Sequence, residues 1–255
     1  MNNLDIAEVC KFVNNNIVDF HQRRLNRLKN LQLKKDLLKK KNPYLFKAKN
    51  IGTASELIEE LLAAYLSSSE ERYFGDFLED LAVFIAKQTL NGHKSTAPGV
   101  DLEFVKNNIH YVVSIKSGPH WGNSSQIQKL ENDLKNAAIR VQQSKNASTV
   151  RPVLGICYGK VRTNFNYRMP NCWKVVGQNF WYLISNDKNL YTDIIEPIGY
   201  RAKQHNDNFE EEKNKIVNRF TKAFIDEFCD TAGAINWSEL VDYNSGNYDL
   251  NGIQI

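Results

Sequence analysis

Three residues near the middle of the chain place an acid, a hydroxyl and a lysine at a spacing that suits a β-hairpin. Asp101 begins one apolar run, and Ser114-Ile115-Lys116 ends the run after the turn at 106–108. Because the start of one hairpin strand lies beside the end of its partner, Asp101 and Lys116 are predicted to meet at one sheet edge. Side chains alternate along a strand, so Ser114 and Lys116 share a face and Ile115 points into the core.

Such a group suits metal-assisted cleavage of a phosphodiester bond. A carboxylate binds Mg²⁺, which polarises the phosphate and lowers the pKa of a bound water. A neighbouring lysine orients or deprotonates the attacking water and stabilises the developing charge. Mg²⁺ usually takes one or two carboxylates, so a second acid is expected beside Asp101.

Asp101 with Ser114-x-Lys116 resembles the PD-(D/E)xK nuclease motif. The sequence departs from that motif twice, because Gly99-Val100-Asp101 stands where Pro-Asp is common and Ser114 replaces the second acid. Some restriction endonucleases of this superfamily also have S-x-K and take the missing carboxylate from elsewhere. The resemblance implies that Asp101 binds Mg²⁺, that Lys116 positions or activates water, and that Ser114 assists.

Three glutamates are candidates for the second acid. Glu79 follows Gly75 in G-x-x-x-E on a predicted helix, which resembles the first-helix glutamate of archaeal Holliday-junction resolvases. Glu131 lies one helix after Lys116, where some S-x-K restriction enzymes carry a migrated acid. Glu71 points more squarely toward the apolar helix face than Glu79 does. We favour Glu79 over Glu131 and keep Glu71 as a third candidate.

A wider resemblance extends from about residue 18 to residue 200. It is similar to Type II restriction endonucleases of the PmeII-type family, and it rests on the segments 41–50, 66–82, 99–104, 114–126 and 155–160. It implies a Mg²⁺-dependent homodimer that cuts both strands of a short double-stranded DNA site. The expected fold is α/β, with a restriction-endonuclease-like core, a mixed central sheet flanked by helices, and a helical N-terminal arm. Alternatives are a structure-specific repair or junction nuclease and, from another class, a non-catalytic DNA-binding protein with a decayed site.

The segment after Lys116 is predicted to contact DNA. Residues 117–126 leave the proposed site and enter a helix, whose N-terminus favours phosphate binding. The candidates are Ser117, His120, Asn123, Ser124, Ser125 and Gln126, and asparagine and glutamine can also read adenine. An ordinary capping loop explains the same residues. Lys160 and Arg162 are further candidates, with a solvated loop as the alternative.

A basic segment extends from His21 to Lys49. It holds eleven Lys/Arg and one acid, so it carries a net charge of +10 while the rest of the chain carries −6. This pattern is typical of a surface that binds a polyanion, and a solvated helix face is the alternative. The predicted phosphate contacts within it are Lys34, Lys35, Lys39 and Lys40.

Apolar periodicity gives the organisation of the chain. Capping-box pairs at Thr53/Glu56 and Ser68/Glu71 indicate two separate helix starts. The chain is predicted to form one α/β domain, with a basic helical arm over 1–52, a nuclease core over 53–235 and a polar tail over 236–255. The predicted helices are 4–19, 22–41, 54–66, 69–88, 124–143 and 208–229, and the predicted strands are 100–105, 109–116 and 152–158.

Several classes of protein are disfavoured by composition. The mean hydropathy is −0.49 and no apolar run reaches eighteen residues, so no membrane span is expected. The N-terminal sequence lacks a secretory pattern, which predicts a cytoplasmic protein. The four cysteines form no CxxC pair and the five histidines show no ligand spacing, which disfavours zinc sites. No phosphate loop occurs, so no nucleotide cofactor is expected.

Overall fold

The computed structural model describes residues 3–144 and 149–246. Contacts divide the chain into two compact units. We call Met1–Phe20 with Phe74–Tyr200 the sheet unit, and His21–Tyr73 with Arg201–Ile255 the helical unit. These units cut across the predicted segments, because two long helices each contribute to both units.

Along the chain, helices precede, interrupt and follow the strands. In chain order they are α1 (Ile6–Lys29), a π-helical segment (Leu33–Leu38), α2 (Pro43–Ala48), α3 (Ala54–Leu90), α4 (Ser124–Ser144), α5 (Gln178–Ser185), α6 (Leu190–Asp193), α7 (Ile195–Ile198), α8 (Ala202–Phe228) and α9 (Trp237–Ser245). The strands are β1 (His93–Lys94), β2 (Leu102–Lys106), β3 (Ile109–Lys116), β4 (Val150–Ile156) and β5 (Trp173–Val176).

The strands form one mixed sheet in the order β1-β2-β3-β4-β5. The β1/β2 and β2/β3 pairs are antiparallel, and the β3/β4 and β4/β5 pairs are parallel. Helix α4 makes the crossover between the two parallel strands β3 and β4, as parallel neighbours require. The predicted α/β class with a mixed central sheet flanked by helices is confirmed.

The β2–β3 hairpin fixes the register on which the site depends. Its turn residues Asn107 and Asn108 have φ values of 52° and 60°, a left-handed conformation that asparagine tolerates well. Leu102 pairs with Val113, so Asp101 precedes β2 at the level of the last residues of β3. The predicted hairpin is therefore confirmed.

The sheet has an apolar layer on each face. Leu130, Leu134 and Val141 of α4 pack with Val112 and Leu154 on one face. The opposite face packs against the N-terminal part of α1, the C-terminal part of α3, and α5; its fully buried residues include Val13, Leu81, Ile85, Val113 and Phe180. In the helical unit a second core joins residues 28–66 to α8 and α9, through Leu28, Leu37, Leu62, Phe224 and Leu240 among others.

Several predicted helix boundaries were wrong. The predicted helices 54–66 and 69–88 form the single helix α3, because Ser68 does not cap a helix: its hydroxyl donates to the Ala64 carbonyl at 3.4 Å. The predicted pair 4–19 and 22–41 is also wrong, because α1 continues without a break to Lys29 and a separate π-helical segment follows.

The segment predicted as a polar tail begins with a helix. The Asn236 side chain accepts from the Glu239 N–H at 3.2 Å and so caps α9, whose Leu240 is buried. Trp237 and Tyr243 pack against the same core, and the Asn244 side chain donates to the Leu38 carbonyl at 2.6 Å, so several contacts hold this helix. Residues 247–255 lie outside the described part of the chain.

Candidate active site

Asp101 is held against the end of β3 by three hydrogen bonds. Its Oδ2 accepts from the Ile115 N–H at 2.6 Å and from the Ser114 hydroxyl at 3.4 Å. Its own N–H donates to the Val113 carbonyl at 2.9 Å. The structure thus brings Asp101 and Ser114 together, and the carboxylate is fixed in direction while it remains half-buried.

Ser114 and Lys116 share the face of the sheet that α4 covers. Both line a cleft of about 350 Å³ together with residues of α4, whereas Ile115 is buried in the core on the other face. Lys116 is half-buried, and its Nζ lies 5.6 Å from the centroid of the Trp121 ring. Ser114 is fully buried, so its hydroxyl contacts the Asp101 carboxylate and is not exposed to solvent.

Glu79 approaches the same edge of the sheet from α3. Its side chain is 27% exposed. Burial, and then the charge of Asp101, raise the pKa of Glu79, while an ion pair with Lys94 opposes that rise. Two carboxylates of the sheet unit therefore lie close enough to repel each other at the edge where Asp101 meets β3.

The charges of two candidate site residues act on the buried Cys157 thiol. Burial raises its pKa, the charge of Glu79 raises it further, and the charge of Lys116 lowers it. One buried atom just after β4 is thus within electrostatic reach of both Glu79 and Lys116. The charges of Glu79 and Lys116 therefore both act on this one buried thiol.

The other two candidate acids have different surroundings and stay predictions. Glu131 is on α4 but does not line the cleft of Lys116. Burial, and to a smaller extent the Glu131 charge, raise the pKa of the Cys172 thiol to about 12, which places Glu131 near that cysteine. Glu71 is exposed and belongs to the helical unit.

Sequence reasoning missed Lys94. Its Nζ lies 3.3 Å from Glu79 Oε1 and 3.8 Å from Asp80 Oδ1. Strand β1 is only two residues long, and no periodicity in the sequence signals its pairing with β2. The site therefore contains a second lysine that no motif indicates.

The loop predicted to bind DNA has a structural role at its helix end. The Asn123 side chain accepts from the Gln126 N–H at 3.0 Å and from the Ser125 hydroxyl at 2.8 Å. In return, the Gln126 side chain accepts from the Asn123 N–H at 2.9 Å, which completes a reciprocal cap of α4. His120 and Ser124 are exposed, and Ser117 is half-buried beside Gly75 of α3.

The six predicted basic residues are all exposed, and three of them contact a carboxylate or an aromatic ring. In the helical unit Lys34 pairs with Glu227, Lys40 pairs with Asp36 at 3.1 Å, and Lys39 lies 5.7 Å from the Tyr243 ring centroid. Exposed ion pairs of this kind are weak enough to exchange for phosphate. Lys35 of the helical unit and Lys160 and Arg162 of the sheet unit are also exposed.

The donor set at the sheet edge fits a magnesium ion better than a transition metal. Among the described residues no cluster of three or more His, Cys, Asp or Glu side chains could hold a metal. Two half-buried carboxylates suit Mg²⁺, which keeps several waters and takes its remaining ligands from phosphate. Glu79 and Asp101 are the residues that could hold such an ion.

A family model for the Type II restriction endonuclease EcoO109I matches residues 7–206 of the chain. The chain belongs to this restriction endonuclease family. Members are endodeoxyribonucleases of restriction–modification systems, so the protein binds DNA and hydrolyses it. The narrower PmeII-type and PD-(D/E)xK assignments stay predictions.

The comparison with curated proteins gives no match. None of the helices in the described part of the chain has the length and apolarity that a membrane span requires.

Proposed function

We propose that this restriction endonuclease cuts both strands of a short DNA site by Mg²⁺-dependent hydrolysis at the Asp101 edge of the sheet. Asp101 and Glu79 hold the metal, and Lys116 acts on the attacking water. The proposal rests above all on the hydrogen bonds that hold the Asp101 carboxylate against the end of β3, the strand that ends in Lys116. The effect of the Asp101 charge on the pKa of Glu79 supports it. Like charges held together at a half-buried site are stabilised by a cation.

Each residue has a separate role in this scheme. When bound, Mg²⁺ polarises the scissile phosphate and lowers the pKa of a coordinated water. The Ile115 N–H and the Ser114 hydroxyl fix the direction of the Asp101 carboxylate. Lys116 orients the attacking water and stabilises the negative charge that develops on the phosphoryl oxygens. In-line attack leaves a 5′-phosphate and a 3′-hydroxyl.

The surroundings of the site supply DNA contacts. The N-terminus of α4, with exposed His120 and Ser124, favours a backbone phosphate. Lys160 and Arg162 are exposed in the segment between β4 and β5. In the helical unit, taken by itself, the exposed Lys34, Lys35, Lys39 and Lys40 offer phosphate contacts. A homodimer is expected, because a palindromic site matches two-fold symmetry.

The proposal is tested by digesting a long DNA of known sequence with and without Mg²⁺. Discrete, reproducible fragments that need Mg²⁺ are expected, and their ends define the recognition site. Lys116→Ala should abolish cutting while it leaves DNA binding in Ca²⁺ largely intact. Lys135→Ala, at an exposed lysine of α4, is the matched control and should cut like the parent.

Three other results would contradict parts of the proposal. A smear instead of bands would indicate a non-specific or structure-specific nuclease. Intact DNA that shifts on a gel would indicate a DNA-binding protein in which Ser114 marks a lost acid. Cutting by Lys116→Ala at the parental rate would place the active site elsewhere.

A further inference from the structure

Lys94 is fixed by backbone pairing beside the two proposed metal ligands. It pairs with Leu102 across the β1/β2 ladder, and the next residue, Ser95, donates its N–H to the Asp101 carbonyl at 3.1 Å. Lys94 is therefore held one residue pair along the β1/β2 ladder from the position of Asp101. A lysine at this position can reach the sheet edge without any change in the backbone.

The ammonium group of Lys94 is surrounded by carboxylates. Its Nζ lies 3.3 Å from Glu79 Oε1 and 3.8 Å from Asp80 Oδ1. These two acids and, more weakly, Asp101 raise the pKa of Lys94. The Glu79 carboxylate, which is a proposed ligand of Mg²⁺, thus already pairs with the ammonium group of Lys94. The metal ion and Lys94 therefore favour the same carboxylate.

We propose that Lys94 is an internal counter-ion that pairs with the Glu79 carboxylate in the metal-free enzyme and competes with Mg²⁺ for it. The inference rests on the proposed function, since it takes Glu79 and Asp101 as the metal ligands. The Lys94 side chain is 63% exposed, so it can turn into solvent when metal binds. Lys94 is in this sense a positioning residue, which holds Glu79 in place and sets the metal concentration that the enzyme needs.

Charge competition has a consequence that a purely structural role does not share. If Lys94 only stabilised the fold, its loss would leave metal affinity equal or lower. If it competes, its loss makes the site more negative, and metal binds more tightly although the metal-free protein becomes less stable. The two effects have opposite signs in the same variant.

The test is calorimetric titration of Ca²⁺ into the full-length, metal-free protein at neutral pH. Lys94→Met removes the charge and keeps the length of the side chain. Because one positive charge close to a divalent ion is lost, we expect Lys94→Met to bind Ca²⁺ about five- to tenfold more tightly than the parent. Its metal-free melting temperature should fall, and Ca²⁺ should raise it more than in the parent.

Three further proteins complete the experiment. Lys94→Arg restores the charge and should bind Ca²⁺ as the parent does. Lys87→Met, at an exposed lysine of α3, controls for general charge and should leave affinity unchanged. Equal or weaker Ca²⁺ binding by Lys94→Met would overturn the inference alone. If the parent binds Ca²⁺ and Asp101→Asn binds it equally well, the proposed metal site is wrong and the inference fails with it.

Discussion

Two acids of the same hairpin, Asp101 and Glu103, are two residues apart and have opposite environments. Glu103 is 5% exposed, and its carboxylate lies 3.0 Å from the His110 ring nitrogen Nε2. It also accepts from the Ser95 hydroxyl at 2.7 Å, and Arg140 of α4 lies 3.9 Å away. Around Glu103, hydrogen-bond donors and basic groups compensate for burial.

Asp101 also accepts two hydrogen bonds, from the Ile115 N–H and the Ser114 hydroxyl, but it differs from Glu103 in its charged surroundings. It is half-buried, and its charge, after burial, raises the pKa of another acid, Glu79 of α3. Lys94 offsets only part of that repulsion, because it is mostly exposed. The comparison leads to a proposed rule for this sheet: a buried acid paired with basic groups stabilises the fold, and an acid beside another acid at an open edge binds a cation.

The largest expected effect is on catalysis at Asp101. Asp101→Asn keeps an oxygen to accept from the Ile115 N–H but removes the charge that holds the metal. We expect the cleavage rate to fall by about a thousandfold, equivalent to about 4 kcal/mol in the barrier. The initial rate of cutting of one defined DNA fragment measures the loss. Glu103→Gln is the matched control, and a similar loss there would break the comparison.

Glu103 should affect stability instead. Glu103→Ala leaves His110 and Ser95 without their buried acceptor, so we expect the free energy of unfolding to fall by about 3 kcal/mol. Urea unfolding of the full chain measures it. Glu103→Gln keeps an acceptor and should cost about 1 kcal/mol. An unfolding free energy that is unchanged in Glu103→Ala would show that the buried pair contributes nothing to the fold.

Glu79 should affect metal binding more than the other two candidate acids do. Loss of a group that merely supports a ligand weakens metal affinity by about ten- to a hundredfold, and loss of a ligand should cost at least as much. Calorimetry with Ca²⁺ should show this loss for Glu79→Gln, whereas Glu131→Gln and Glu71→Gln should bind like the parent. A loss at Glu131 instead would move the second carboxylate to α4.

The difference between local and long-range contacts explains which parts of the site the sequence could predict. Alternation along the strands and the Asn107-Asn108 turn are local signals, so the meeting of Asp101 with the end of β3 was predictable from spacing. A helical pattern places Glu79 and Glu71 on a helix, but it does not say which turn of a 37-residue helix meets the sheet edge. That choice depends on packing between distant segments.

Lys94 and His110 were missed for a related reason. Lys94 belongs to a strand of two residues that pairs with β2, and His110 shows its role only when the hairpin brings its ring to the Glu103 carboxylate. Isolated polar residues in short strands look like surface residues in a sequence. Their charge partners become visible only in three dimensions.

The smallest expected effect concerns a histidine of the helical unit, which contrasts with His110 and its carboxylate partner. His21 stacks on His205 with ring centroids 4.4 Å apart; burial, and then the charges of His205 and Arg24, lower its pKa from 6.5 to about 4. Because only the unfolded chain takes up this proton between those values, stability is complete above pH 6.5 and is lost as pH falls toward 4. At pH 5 the loss should be about 1 kcal/mol after allowance for partial exposure. His21→Gln should remove this part of the pH dependence, which urea unfolding at pH 7, 6 and 5 measures. An equally steep fall in the variant would assign the dependence to other groups.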